Sequence, residues 1–153
     1  MKSLQEIIKQ EPVFLNDWKQ DGMYQLIADF DEIYLSKKEF EASESPYSNV
    51  EYWREKKSKM ERALVDWQDV HILFASYGAQ GYEGDSFVLL EKDGKLFEVN
   101  AGHCSCYGLE GQFKPSEVTL IELEHRLVKG KMGEDNYSGN EYAKELKEFL
   151  GIE

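Results

Sequence analysis

A chain of 153 residues, 41% hydrophobic and 13% aromatic, carries enough apolar side chain for one packed core and too much for a disordered segment. Its net charge of −12 exceeds the magnitude of about 2–8 common for a small soluble domain, and excludes nonspecific binding to a phosphate backbone, which needs clustered lysine and arginine. Apolar runs stay short of the roughly 20 residues of a membrane span, the N-terminus lacks the apolar stretch of a signal peptide, and Cys104 and Cys106 stand too close to staple distant parts of a fold, so a cytoplasmic protein of a reducing compartment is expected.

Ser3 and Glu6 form a capping-box pattern that starts a short helix, and Glu11-Pro12 ends it. After Gly22, the spacing of Met23, Leu26, Ile27, Phe30, Ile33 and Tyr34 predicts an amphipathic helix. Asp29, Asp31 and Glu32 fall on its wet side, with Lys37 and Lys38 near its end, where cations suit the helix dipole. A loop follows over 42–46. Ser48-Asn49-Val50-Glu51 reads as a second capping box opening a helix of about 18 residues, with Val50, Trp53, Met60, Leu64 and Trp67 on one face. Arg54, Lys56, Lys59 and Arg62 make this the one basic stretch of an acidic chain: residues 49–67 hold five bases and four acids.

From Val70 the pattern changes to β-prone runs over 70–77, 86–90 and 96–100. Asp93-Gly94 between the last two predicts a type I′ hairpin, whose two central residues need positive φ. Residues 101–112 read as irregular. Pro115 starts a helix to about Val128, a polar connection runs from Gly130 to Gly139, and a third Ser-x-x-Glu start at Ser138 opens a last helix. Tyr142, Leu146, Phe149 and Leu150 take its core side, and Gly151 its end. The fold class expected is therefore α+β, a small three-stranded antiparallel sheet packed with four to five helices. It forms a single domain over 1–153: a helical part over 1–67, the sheet over 69–101, a Cys/His turn over 102–112 and helices over 115–151. Trp53 and Trp67 belong to the core, whereas Trp18 lies in a stretch without an assignable element.

Chemistry concentrates in Gly102-His103-Cys104-Ser105-Cys106-Tyr107-Gly108. Thiolate and imidazole are ligands that zinc prefers, with His71, His125 or a carboxylate as a possible completing ligand, but a second cysteine pair is lacking. A cysteine nucleophile would need a base; His71, oriented by Asp85 or Glu98, is the candidate, because His103 and Cys104 point to opposite faces on an extended backbone. The plainer reading, and the favoured one, makes both cysteines small groups packed in a tight turn, with no catalytic residue, metal or cofactor. The glycine-containing loop 78–84 is no phosphate cradle, since a strand rather than a helix follows and Glu83 and Asp85 would repel the anion. It leaves room for a ligand pocket against the sheet. Either of two acidic groups, Glu39, Glu41 and Glu44, or Glu117, Glu122 and Glu124, offers a surface that imitates nucleic-acid phosphates and is drawn to a basic groove over long range; a solvated helix face is the simpler alternative. The basic helix over 54–62 reads first as ordinary charge mixing and second as a dock for an acidic partner.

The strings His71-Ile72-Leu73-Phe74-Ala75-Ser76-Tyr77, Gly94-Lys95-Leu96-Phe97-Glu98-Val99-Asn100 and His103-Cys104-Ser105-Cys106-Tyr107-Gly108-Leu109-Glu110-Gly111-Gln112 resemble a group of small, uncharacterised bacteriophage and prophage proteins. The resemblance covers about residues 60–128, extends loosely into the last helix, and is weak before residue 48. It implies a setting, a phage or prophage genome expressed in a bacterial cell, and transfers no catalytic residue. With the acidic charge, it leads to the expectation of a noncatalytic accessory protein. Such a protein binds and modulates a host protein, including as an acidic decoy for one with a basic nucleic-acid-binding groove, and touches neither nucleic acid nor membrane. The alternative is a Cys/His site protein centred on 103–106.

Overall fold

The computed structural model describes residues 1–134 and 137–153; positions 135 and 136, within the polar connection expected after Gly130, lie outside the described residues. Helix α1 (Leu4–Lys9) begins at the expected box: the Ser3 hydroxyl accepts the Glu6 N–H at 3.2 Å, and the Glu6 carboxylate accepts the Ser3 N–H at 3.3 Å. Strand β1 (Val13–Asn16) follows Pro12. Then come α2 (Met23–Phe30), α3 (Lys37–Glu41) and α4 (Val50–Asp66), the strands β2 (His71–Tyr77), β3 (Gly84–Lys92), β4 (Lys95–His103) and β5 (Ser116–Val118), and the helices α5 (Leu120–Val128) and α6 (Ala143–Leu150). The described residues thus form a mixed α+β fold with five strands and six helices.

Several expected boundaries move. The sheet gains β1 and β5, so the N-terminal part is not wholly helical, and β4 runs on to His103 through residues expected to be irregular. The helix expected from Pro115 is split: residues 116–118 pair with β4, and Thr119 caps α5 by accepting the Glu122 N–H at 3.1 Å. Lys37 and Lys38 belong to a separate short helix with its own Ser36–Glu39 capping box. Asn49, not Ser48, caps α4, accepting the Tyr52 N–H at 3.0 Å. Tyr34, Val50 and Leu64, expected in the core, are exposed. The last helix starts at Ala143 rather than at Ser138 and ends as expected, with Gly151 left-handed at φ 76°. The hairpin turn is as read: Asp93 and Gly94 have φ of 53° and 76°.

The strands lie in chain order, β1 to β5. Neighbours are antiparallel except β1 and β2, which are parallel with Val13 opposite Phe74. A parallel pair needs a crossover, and here it consists of α2, α3 and α4, which cover one face of the sheet. Elements before β1 and after β5 cover the other. Two cores result. The first packs Trp18, Trp53 and Trp67 with α2, Met60 of α4 and the sheet residues Ile72, Ala75, Val88 and Val99. The second packs Ile7, Leu123, Leu127, Leu146 and Phe149 over Phe74, Phe87 and Leu89.

Strand β3 alternates between the cores, residue by residue, over Phe87–Leu90. Strand β2 does not. Its register jumps from Ile72 opposite Leu90 to Phe74 opposite Leu89, a β-bulge with one extra residue. Leu73 and Phe74 therefore both enter the second core, while Ile72, Ala75 and Tyr77 pack on the first.

Candidate functional site

The strands β2 and β4 end, and β3 begins, at one end of the sheet. The loops 17–22, 31–36, 78–83 and 104–111 gather there. Trp18, unassignable in sequence, is fully buried in the first core, and its indole N–H donates to Asp29 Oδ2 at 2.7 Å. Gln25, one turn earlier on α2, donates its amide to Asp29 Oδ1 at 3.0 Å. Asp29 is thus no solvent-facing helix residue. Burial pushes its carboxyl above the ordinary range, against the pull of the two donors. Asp31, also expected wet, accepts the Trp67 indole N–H at 3.1 Å.

Tyr77, the last residue of β2, stacks on His103, the last of β4, with ring centres 4.7 Å apart and planes at 14°. Trp18 lies 5.3 Å from the Tyr77 ring. Burial, then Asp29 and Asp17, raise the Tyr77 hydroxyl to about 12, so it is a proton donor at any physiological pH. Gly84 faces this stack because nothing larger fits: a Cβ there would stand 1.9 Å from the Gly78 carbonyl oxygen and 2.6 Å from His103 Cε1. His103 Nδ1 is buried without a hydrogen-bond partner among the described residues.

Asp29 and Tyr77 line two adjoining clefts. One, of about 900 Å³, includes Asn16, Asp17 and Lys19. The other, of about 330 Å³, includes Glu32, Tyr34 and Glu110. Asn16 and Glu32 hold left-handed backbones, φ 57° and 56°; among the described residues the other non-glycine that does so is Asp93 of the hairpin turn. A third cleft, of about 400 Å³, opens between the sheet end and the 78–84 loop, where a ligand pocket was conceivable from sequence, and is lined by Glu83, Asp85, His103, Cys104, Tyr107 and Tyr137.

The Cys/His turn is tight, with the Cys104 N–H donating to the Tyr107 carbonyl at 3.0 Å. Gln112 clamps it from outside, donating to the carbonyls of Gly102 at 2.7 Å and Gly108 at 2.8 Å and accepting the Gly102 N–H at 2.9 Å. Both thiols are free; Cys104 is half-buried and Cys106 exposed, so the packed-thiol reading holds for Cys104 only in part and fails for Cys106. The Cys106 N–H points at Cys104 Sγ at 3.3 Å.

His71 does not join this group. It opens β2, six strand steps and roughly 20 Å from Tyr77, where its Nδ1 meets Glu91 at 3.0 Å. Glu98 does not orient a histidine either: it faces the second core and receives both guanidinium nitrogens of Arg126, at 3.0 and 2.6 Å. His125 is exposed on α5. Among the described residues, no three of His, Cys, Asp and Glu gather as a metal-ligand set.

The two acidic groups lie on different layers. Glu39 and Glu41 sit on α3, whose Phe40 packs on the first core, with Glu44 in the loop beyond; Glu122 and Glu124 sit on α5, whose Leu123 enters the second. Glu117 lies 4.0 Å from Lys95, and Glu39 spends one oxygen on its capping box. They do not form one surface.

The sequence reading missed the tyrosines. Tyr34, Tyr82, Tyr107 and Tyr137 are 69%, 81%, 56% and 93% exposed, and all belong to the loop end. Their common end of the fold could not be read from spacing, because each comes from a different loop.

No helix among the described residues is long and apolar enough to cross a membrane. No family model, curated protein or solved structure matches this chain.

Proposed function

We propose that this chain is a noncatalytic accessory protein of a phage or prophage that binds and modulates a host protein in the bacterial cytoplasm, engaging a basic surface of its partner through the loop end of the sheet. The observation that carries this reading is the set of four exposed tyrosines interleaved with Asp17, Glu32, Glu83, Asp85 and Glu110. Tyrosine supplies broad contact area at low entropic cost and is enriched in interface hot spots. Carboxylates around it favour a basic partner and speed its approach. Where that partner uses the same basic groove for nucleic acid, occupancy by this chain makes it a decoy.

The test is retention of host proteins from bacterial lysate on the tagged chain, compared among three forms. Wild type should hold a partner that leaves as salt rises toward about 1 M, where the screening length falls to about 3 Å. The Tyr82→Ala, Tyr107→Ala double variant should lose it. The Glu117→Lys, Glu122→Lys, Glu124→Lys triple variant should keep it. Loss only in the triple variant would move the interface to α5, and absence of any salt-sensitive partner would sink the reading.

One contact favours the alternative, a reactive cysteine: the Cys106 N–H donates to Cys104 Sγ at 3.3 Å and fixes the direction of the sulfur. That reading requires Cys104 in the folded chain to react with iodoacetamide much faster than free cysteine at neutral pH.

A further inference from the structure

The smaller of the two clefts over Asp29, about 330 Å³, has an unusual lining: three carboxylates, of Asp29, Glu32 and Glu110, two phenol rings, of Tyr34 and Tyr77, and apolar walls from Ile33 and Leu109, with no lysine or arginine among the described lining residues. We propose that this cleft is a receptor for one guanidinium group, an arginine side chain presented by the partner. The inference rests on the binding role proposed for the loop end and gives it a chemical address.

The argument starts from Asp29. A carboxylate offers about four acceptor positions, and Trp18 and Gln25 fill two of them. The two bonds hold the group in place and leave acceptor capacity on a carboxylate that borders the cleft. Because Asp29 is already drawn out of water, a cation that reaches it meets a less screened charge than one on the open surface. Glu110 is fixed as well, its Oε1 accepting the Gly108 N–H at 3.2 Å. The Tyr34 hydroxyl registers the resulting field: desolvation, then Glu32 and Glu110, hold its pKa above the ordinary phenol value.

The exposed Tyr34 ring chooses the cation, Tyr77 being stacked on His103 and lying 5.3 Å from Trp18. A guanidinium is weakly hydrated and lies well on phenol faces, whereas an ammonium gives up its water reluctantly. The neighbouring larger cleft contains Lys19, which makes it the poorer host for a second cation.

The test is a titration of the full chain followed by ¹H–¹⁵N spectra. The three indole N–H signals report separate places: Trp18 bonds Asp29, Trp53 the Glu39 carbonyl, and Trp67 Asp31. N-acetyl-arginine amide should move the Trp18 signal saturably, with a Kd in the range of about 1–10 mM, and leave the Trp53 signal in place. N-acetyl-citrulline amide, alike in shape but uncharged, should not move it. Asp29→Asn keeps an acceptor for Trp18 and should weaken binding about tenfold or more. Glu32→Gln, at an exposed residue whose carboxylate meets the Tyr34 hydroxyl, should weaken it about two- to fivefold. A linear, unsaturated response to about 50 mM arginine amide, or equal responses to the citrulline or lysine analogues, would overturn the proposal. Because the probe is a small molecule, its failure alongside salt-sensitive, tyrosine-dependent capture would discard the cleft assignment alone; loss of capture would discard the wider reading.

Discussion

The two faces of the sheet are held by different chemistry. The face under α5 and α6 packs Phe74 against the rings of Phe87, Tyr142 and Phe149 within 6.3 Å, and its buried polar groups are paired, Glu98 with Arg126 and Ser76 with Asn140 and Asn16. The face under α2 and α4 carries all three tryptophans, and every indole N–H is spent, two of them on carboxylates. The first arrangement makes a rigid floor. The second carries ionisable groups into the core margin, and the clefts open at that margin. Stability and recognition are therefore separable, and substitutions on the two faces should show it.

The largest loss is expected from Phe74→Ala, which empties a fully buried ring site. About 3–5 kcal/mol should disappear from urea unfolding, with the loop-end tyrosine signals unchanged in the folded fraction. Next comes Arg126→Met. Removing one partner of a buried pair costs about 3–5 kcal/mol, but Arg126 keeps 39% of its side chain in solvent, so about 2–3 kcal/mol is the better expectation. A neutral result would show that Glu98 finds water in its place.

On the other face, Gln112→Ala removes three hydrogen bonds from the Cys/His turn. It should cost about 1–3 kcal/mol and raise the alkylation rate of half-buried Cys104 while leaving that of exposed Cys106 unchanged. Equal acceleration at both thiols would mean global unfolding instead. Trp67→Phe keeps most of the ring packing against Phe113 and Phe30 but removes the donor to Asp31, and should cost about 1 kcal/mol in the same urea assay.

The smallest effect concerns pH. Burial raises the Asp29 carboxyl in the folded chain. Its protonated form therefore favours folding, and the stability it contributes is present below the unfolded pKa and lost as pH rises through the folded one. Asp29→Asn, which does not titrate, should gain on the wild type as pH rises from the unfolded aspartate pKa through the raised folded one. A difference that stays constant across that window would place Asp29 in water, and the contrast between the two faces would lose its sharpest element.

What the sequence disclosed follows a physical divide. Local signals were legible: the Ser3–Glu6 box, the Asp93-Gly94 turn, the three central strands and the left-handed Gly151 depend on residues within a few positions of one another. The edge strands were not. Val13–Asn16 is four residues long and exists because β2, some 60 residues later, offers it a parallel partner; Ser116–Val118 is shorter still. The site was half legible. His103 and Cys104 stood out as a motif, and they do border a cleft. Asp29 did not, because helical spacing marks which side of a helix is polar and says nothing about an indole arriving from eleven residues away. His71 misled for the converse reason: residue type suggested a partnership that strand length forbids.

The extra residue in β2 reaches further than the pairing it disturbs. Downstream of it, inside and outside are exchanged for the remainder of the strand. Excising Leu73 would leave Tyr77 and Ser76 on their present faces, whereas pairing Leu73 with Leu89 in an unbroken ladder would turn Tyr77 toward α6 and Ser76 toward Trp18. The wall shared by both clefts over Asp29 would vanish although none of their own residues had changed, so the recognition surface is set by a counting offset several positions upstream.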